Sequence, residues 1–214
     1  MKRQPKTRST ILFIGDSITD CGRRGPNAPL GDGYVKLFAD LLAIRLPQRK
    51  FRVVNMGCGG QRILELQERW TDDVIRQRPD VLVMMIGIND ACGWVVGAAN
   101  AITPERYAAL YEELMSRTRT ELPRCRILLM EPFYITKETA PTSIRYKVLE
   151  GVQKYIRIVR RMSRRHRTEL LKTHEMFQRL LNHHEPIVFC PEPVHPFQTG
   201  HLTIAEAVYD ALDL

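Results

Sequence analysis

The strongest constraint on this chain is the alternation of short apolar runs with amphipathic stretches. "TILFIG" (10–15), "FRVVNMG" (51–57), "DVLVMMIG" (80–87) and "RILLMEP" (126–132) are runs of the buried-strand type. Between them the pattern turns helical. Val35, Leu37, Phe38, Leu41, Leu42 and Leu46 share one helical face, and Pro47 stops it. "RILELQERW" and "TDDVIRQR" read as one or two short helices. "TPERYAALYEELMSRTRTEL" opens with a Thr cap, Pro at the first helical position and Glu behind it. Ile144, Val148, Val152, Tyr155, Ile156, Val159 and Met162 mark a long amphipathic helix, and "TIAEAVYDALDL" a terminal one. For a fifth strand, "TELLKTH" and "PIVFC" both qualify; the first is preferred because the helical "EMFQRLLNH" follows it. Such alternation builds parallel βαβ units with right-handed crossovers. The expected fold is α/β: a flavodoxin-like, three-layer α/β/α sandwich of about five parallel strands. Ligands then belong outside the carboxyl ends of the strands.

A chain of 214 residues suits one domain, expected over 10–214 behind a basic, flexible tail at 1–9. "ILFIG" is too short for the apolar region of a signal peptide, and no apolar run approaches the ~20 residues of a membrane span. The expected location is the cytoplasm. Five scattered cysteines without a CxxC pair argue for reduced thiols. Much of the net charge of +8 lies in "RIVRRMSRRHR" (157–167). With no nucleic-acid motif and no interleaved aromatics, that run is read as the solvent face of a helix, the alternative being a patch for nucleic acid or an acidic polymer. Membrane and nucleic acid are not expected partners; a homo-oligomer is left open.

Polar motifs follow the apolar runs. The first strand ends in Gly15-Asp16-Ser17, the second in "NMGCGG" (55–60), the third in "GIND" (87–90), and "PEPVHPFQTGH" (191–201) comes near the C-terminus. Each has an ordinary structural explanation: a Ser helix cap, a glycine turn, an Asx turn, a surface histidine. In a doubly wound sheet the first three meet along one rim and the late histidine folds back over them; together they supply a hydroxyl, a base and donors for an oxyanion. There is no G-x-S-x-G elbow, and the glycines lack the Lys-Ser/Thr of a phosphate loop.

These four blocks resemble those of the SGNH or GDSL hydrolases, over nearly the whole chain from about Thr10. "GDSITD" resembles the nucleophile block, "NMGCGG" the glycine block, "GIND" the third block and "EPVHP" the last. "GDSITDCGR", "DGYV", "VVNMG", "ERW", "MIGIND", "EPFYI" and "VHPFQTGH" look most like the carbohydrate acetylesterase branch, xylan acetylesterases included. The resemblance implies Ser17 as nucleophile, His195 as base, and an oxyanion hole of the Ser17 and Gly60 N–H groups with the Asn89 amide. Asp16 and Asp90 are expected to brace their turns, and Asn55 the turn that presents Gly60. The family's last block is usually Asp-x-x-His, and Glu192 takes the Asp position here. Three readings are open: Glu192 orients His195, which is preferred because a carboxylate also stabilises the imidazolium; a backbone carbonyl orients the ring of a Ser-His dyad; or the enzyme is weakened.

The implied reaction is hydrolysis of a short-chain acyl ester, acetyl on a small molecule or oligosaccharide, through an acyl-enzyme. The alternatives are a lysophospholipase or thioesterase acting on longer chains, or a catalytically weakened binding protein. No cofactor or metal is called for; the adjacent His183 and His184 do not converge on one helix face. The Cys21–Leu30 loop is expected to edge the pocket. Trp94 and Tyr134 are candidates to stack on a sugar or close the acyl pocket, with ordinary packing an equal alternative. No long apolar lid of the lipase kind is visible.

Overall fold

The computed structural model describes residues 9–214; of the expected 1–9 tail, residues 1–8 lie outside them, and Ser9 already belongs to the first strand. Five strands, β1 (Ser9–Gly15), β2 (Phe51–Gly57), β3 (Val81–Met85), β4 (Arg126–Met130) and β5 (Glu169–Leu171), form one sheet in the order β2-β1-β3-β4-β5. All neighbours are parallel. The fifth strand comes from "TELLKTH", as preferred; "PIVFC" instead holds a 3-10 turn at Pro186–Val188. β1 and β3 are central, and Ile11 to Ile14 and Val81 to Met85 are all buried, which explains why both run apolar on consecutive residues.

Among the described residues, eight helices connect and cover the strands: α1 (Ser17–Asp20), α2 (Tyr34–Arg45), α3 (Ile63–Trp70), α4 (Ile88–Val95), α5 (Pro104–Glu121), α6 (Ile144–His166), α7 (Thr173–Leu180) and α8 (Gln198–Leu212). α3 runs directly into a π-helical turn at Thr71–Ile75, so the two expected short helices are continuous. α2 and α8 pack on each other, while α3, α5 and α6 form a second contiguous set. This is the three-layer arrangement that right-handed crossovers impose. Thr103 caps α5 through its side chain, and buried Trp70 of α3 donates its indole N–H to Thr118 of α5 at 3.1 Å. α8 starts at Gln198, five residues earlier than its apolar pattern suggests. No described helix is long and apolar enough to cross a membrane.

Two features position the functional rim. The strand order reverses direction at β1 and β3, where a crevice opens above the sheet. The ends are also level, with Gly15 paired to Gly57 on one side and Met85 on the other. The loops that leave these three residues therefore emerge at one height.

Candidate active site

Asp16 links β1 to α1 as the N-cap. Its Oδ1 accepts the Ile18 N–H at 3.0 Å, and its carbonyl accepts from Thr19 at 3.2 Å and Asp20 at 2.9 Å. Ser17 is thereby fixed as the first residue of a helical turn, where its own N–H has no intrahelical acceptor. The Asp16 carboxyl is buried, and burial pushes its pKa up to about 7, against the pull of the Ile18 N–H and of His195.

Ser17 Oγ lies 2.9 Å from His195 Nε2. On the other side of the ring, His195 Nδ1 lies 2.5 Å from Glu192 Oε1. A carboxylate at Nδ1 holds the proton there and leaves the Nε2 lone pair facing the serine hydroxyl. Glu192 does this while capping its own loop: Oε1 also accepts the His195 N–H at 2.8 Å, and Oε2 the Val194 N–H at 2.9 Å. The extra methylene over Asp is taken up by this backward curl. The His195 and Glu192 side chains keep 57% and 42% of their exposure, so water reaches the pair.

Gly60 has φ 75°, a left-handed conformation that favours glycine, and a Cβ there would meet open space. Asn89, the second residue of α4, donates its amide to the Gln61 carbonyl at 2.9 Å. That bond ties the third block to the residue after Gly60. Gly60 and Asn89 line one cleft of about 440 Å³ with Gly59, Arg62, Glu65 and Asn100. Its lining is mostly polar.

Asn55 bonds both the glycine block and α1. Its Oδ1 accepts the Gly57 N–H at 2.8 Å, and its amide donates to the Thr19 and Leu30 carbonyls, each at 2.7 Å. It secures α1 because its strand position lies directly beneath that turn. Gly57 allows this approach, since a Cβ there would lie 2.3 Å from the Asp20 nitrogen. A second brace for the glycine block is Asp20, which the sequence does not single out: its Oδ2 accepts the Gly59 N–H at 2.9 Å. The signal was available in the second Asp of "GDSITD". Asp90 accepts the Ile63 N–H at 3.3 Å and so anchors the start of α3; burial raises its pKa to about 7.

His201, the last residue of "PEPVHPFQTGH", and Cys21, within "GDSITDCGR", are further structural partners to which the sequence assigns no role. The Tyr34 N–H donates to His201 Nδ1 at 3.3 Å, which puts the ring proton on Nε2. Nε2 faces Cys21 Sγ at 3.3 Å, and the thiol donates to the Ile18 carbonyl at 3.4 Å. This chain ties α8 to α1. Burial holds the His201 pKa down to about 4 and the Cys21 pKa up to about 12.

The Cys21–Leu30 loop folds beside the glycine block, with Arg23 Nε 2.5 Å from the Gly57 carbonyl and Arg24 3.3 Å from Cys58 Sγ. Tyr134 is buried, and Trp94 packs edge-on against Tyr155. The arrangement as a whole places a hydroxyl against an oriented base beside a donor-lined cleft, the requirements for acyl transfer.

The model of the GDSL-like lipase/acylhydrolase family matches residues 13–202. An acetylxylan esterase of Geobacillus stearothermophilus is 34% identical over 208 residues, 92% of this chain and 90% of that protein. The crystal structure of Axe2, an acetylxylan esterase from that organism, superposes with a TM-score of 0.86 at 31% identity, covering 96% of this chain and 94% of that one. LAE5, an alpha/beta hydrolase enzyme from the metagenome of Lake Arreo, gives a TM-score of 0.85 at 32% identity over 96% and 95%. Axe2 has also been solved as catalytic mutants in which a serine, an aspartate or a histidine is replaced by alanine, the aspartate lying three residues before the histidine.

Proposed function

The chain belongs to the GDSL-like lipase/acylhydrolase family, and from that premise we propose that it is a serine esterase that removes acetyl groups from carbohydrates. The observation that carries the reading is the continuous relay from Ser17 through His195 to Glu192. His195 Nε2 takes the hydroxyl proton as Ser17 Oγ attacks the ester carbonyl. The carbonyl oxygen becomes an oxyanion, received by the Ser17 and Gly60 N–H groups and the Asn89 amide. Glu192 keeps the ring oriented and offsets the imidazolium charge. His195 then gives its proton to the departing sugar hydroxyl. Water, reaching the half-exposed ring, deacylates the enzyme by the same steps in reverse roles. Asp16, Asp20, Asn55 and Asp90 hold the turns that carry these groups.

A polar cleft beside Gly60 and Asn89 suits a hydroxyl-rich substrate better than a long acyl chain. The acetylxylan esterase relatives point to the same substrate class. All five cysteines are free thiols, which suits the reducing cytoplasm.

The test is hydrolysis of nitrophenyl acetate and nitrophenyl octanoate by the purified protein and by Ser17→Ala. Acetate is expected to be preferred, and Ser17→Ala to lose on the order of 10⁴–10⁶ in kcat with an unchanged fold. Unchanged turnover in Ser17→Ala removes the nucleophile assignment; a strong octanoate preference replaces the acetylesterase reading with a long-chain one.

A further inference from the structure

Most basic side chains near the middle of the fold have partners. Arg160 of α6 bonds Glu131 at 2.6 Å, and Arg165 bonds Glu112 at 3.1 Å. Six others on the same helix do not: Arg145 stands on another face, and the remaining five share one side. Lys147, Lys154, Arg157, Arg161 and Arg164 are all exposed, and among the described residues none forms an ion pair. Their spacing is regular: 147, 154 and 161 lie seven apart, as do 157 and 164. At 3.6 residues per turn the five fall within an arc of roughly 100°, along about 25 Å of helix. Glu150 is the only carboxylate on α6. Glu150 lies within the same arc, between Lys147 and Lys154, and Glu105 acts on Lys154 from α5; the row still carries an excess of positive charge, greatest at Arg157, Arg161 and Arg164, an arrangement that favours occupation by a linear anion.

One end of the row connects to the active-site rim. A crossover helix between parallel strands runs opposite to them. α6 therefore starts at the rim where β4 ends, with Lys147 near the top. There α4 crosses it closely: a Cβ on Gly151 would lie 2.3 Å from a Val95 methyl. α4 carries both Asn89 and, five residues on, Trp94. Trp94, Tyr146, Lys147, Lys154 and Arg157 line a groove of about 430 Å³ with one carboxylate, Glu150, among them; Lys154 Nζ lies 4.3 Å from the Trp94 ring centre. Aromatic surface beside cations fits a ring with an apolar face and a carboxylate.

We propose that this α6 stripe binds an anionic polysaccharide, so that the protein acts on acetylated sugar chains that bear uronate groups. The inference rests on the carbohydrate-esterase reading and names its substrate class more narrowly. The chain would lie from the cleft at Asn89, past Trp94, and down the row of cations. Nucleic acid fits the charge but not the aromatics, which stand only at the rim end of the stripe.

The test compares a uronate-bearing acetylated xylo-oligosaccharide with its carboxyl-reduced, neutral counterpart. Binding is measured calorimetrically on Ser17→Ala, and turnover on the parent protein. The acidic oligomer is expected to bind about tenfold more tightly at low ionic strength, the scale of a few exposed charge contacts, and to lose that advantage in salt. Arg157→Glu/Arg161→Glu is expected to abolish the preference while leaving nitrophenyl acetate turnover unchanged. Equal binding of the two oligomers by a protein that deacetylates both overturns the stripe but not the esterase. Nitrophenyl acetate turnover that persists without release of acetate from either oligomer removes the carbohydrate reading and the stripe with it. Tighter binding of a DNA oligonucleotide of equal charge than of the acidic oligomer overturns the stripe as a sugar site.

Discussion

Glu192 reaches His195 by folding back over two residues of its own loop, so the same carboxylate caps two N–H groups and orients the ring. That dual use makes its replacements informative. Glu192→Gln retains one carbonyl oxygen but brings an N–H₂ that has no acceptor at Nδ1–H. A fall in kcat of ~10²–10⁴ is expected with KM little changed, because the lost interaction is one that strengthens as the imidazolium forms. Steady-state kinetics on a chromogenic acetate measures it; a fall confined to KM would refute the role. The four polar blocks were legible in the sequence, because each is short and breaks an otherwise apolar or helical pattern. The curl of Glu192 was not, since it depends on loop dihedrals around Pro193 that carry no periodic signal. Asp20 escaped notice for a related reason: its partner, Gly59, is 39 residues away.

The helix that begins at Ser17, α1, has only four residues, too few to be stable by its own hydrogen bonds. It is held by its neighbours: the Asp16 cap, the Asn55 amide from β2, and the His201–Cys21 contact from α8. Asn55→Ala would leave the Gly57 N–H and the Thr19 and Leu30 carbonyls without partners. A loss of about 2–4 kcal/mol is expected in chemical denaturation, with a fall in kcat because α1 is free to shift. A loss of stability with full activity would show that α1 does not depend on β2. Long elements were legible because burial on one face imposes a period that the sequence must display. α1 and α4 were not, because "SITD" is too short for a period and "INDACGWV" begins within a motif read as a turn. The early start of α8 was hidden too, as its Phe197 cap has no capping side chain.

Across the whole molecule, buried titratable groups set how stability depends on pH. Asp16 and Asp90 have pKa values raised from 3.8 to about 7, so the stability they permit is full below pH ~4 and is lost as pH rises toward 7. His174 and His201 are lowered from 6.5 to about 4, so theirs is full above pH ~6.5 and is lost as pH falls toward 4. The two pairs oppose each other over one window. Asp90→Asn is therefore expected to tilt the melting temperature toward a decline on the acid side, and His201→Gln toward a decline on the neutral side. Thermal melts at several pH values between 4 and 7 check both; parallel curves for parent and variants would refute the opposition. The parallel sheet was implied by the alternation, and with it the meeting of three motifs at one rim; the level of the strand ends was not, because register carries no periodic signal. The late histidine was expected to fold back over that rim, but not how: no strand carries His195, and the loop that holds it is set by the docking of α8. That loop has a mechanical consequence. Its base and carboxylate are three residues apart, whereas 178 residues separate the base from the hydroxyl it serves. Acid and base travel as one rigid part, and the site has a single long seam. An error in seating the C-terminal helix changes how far His195 stands from Ser17, never which nitrogen it presents.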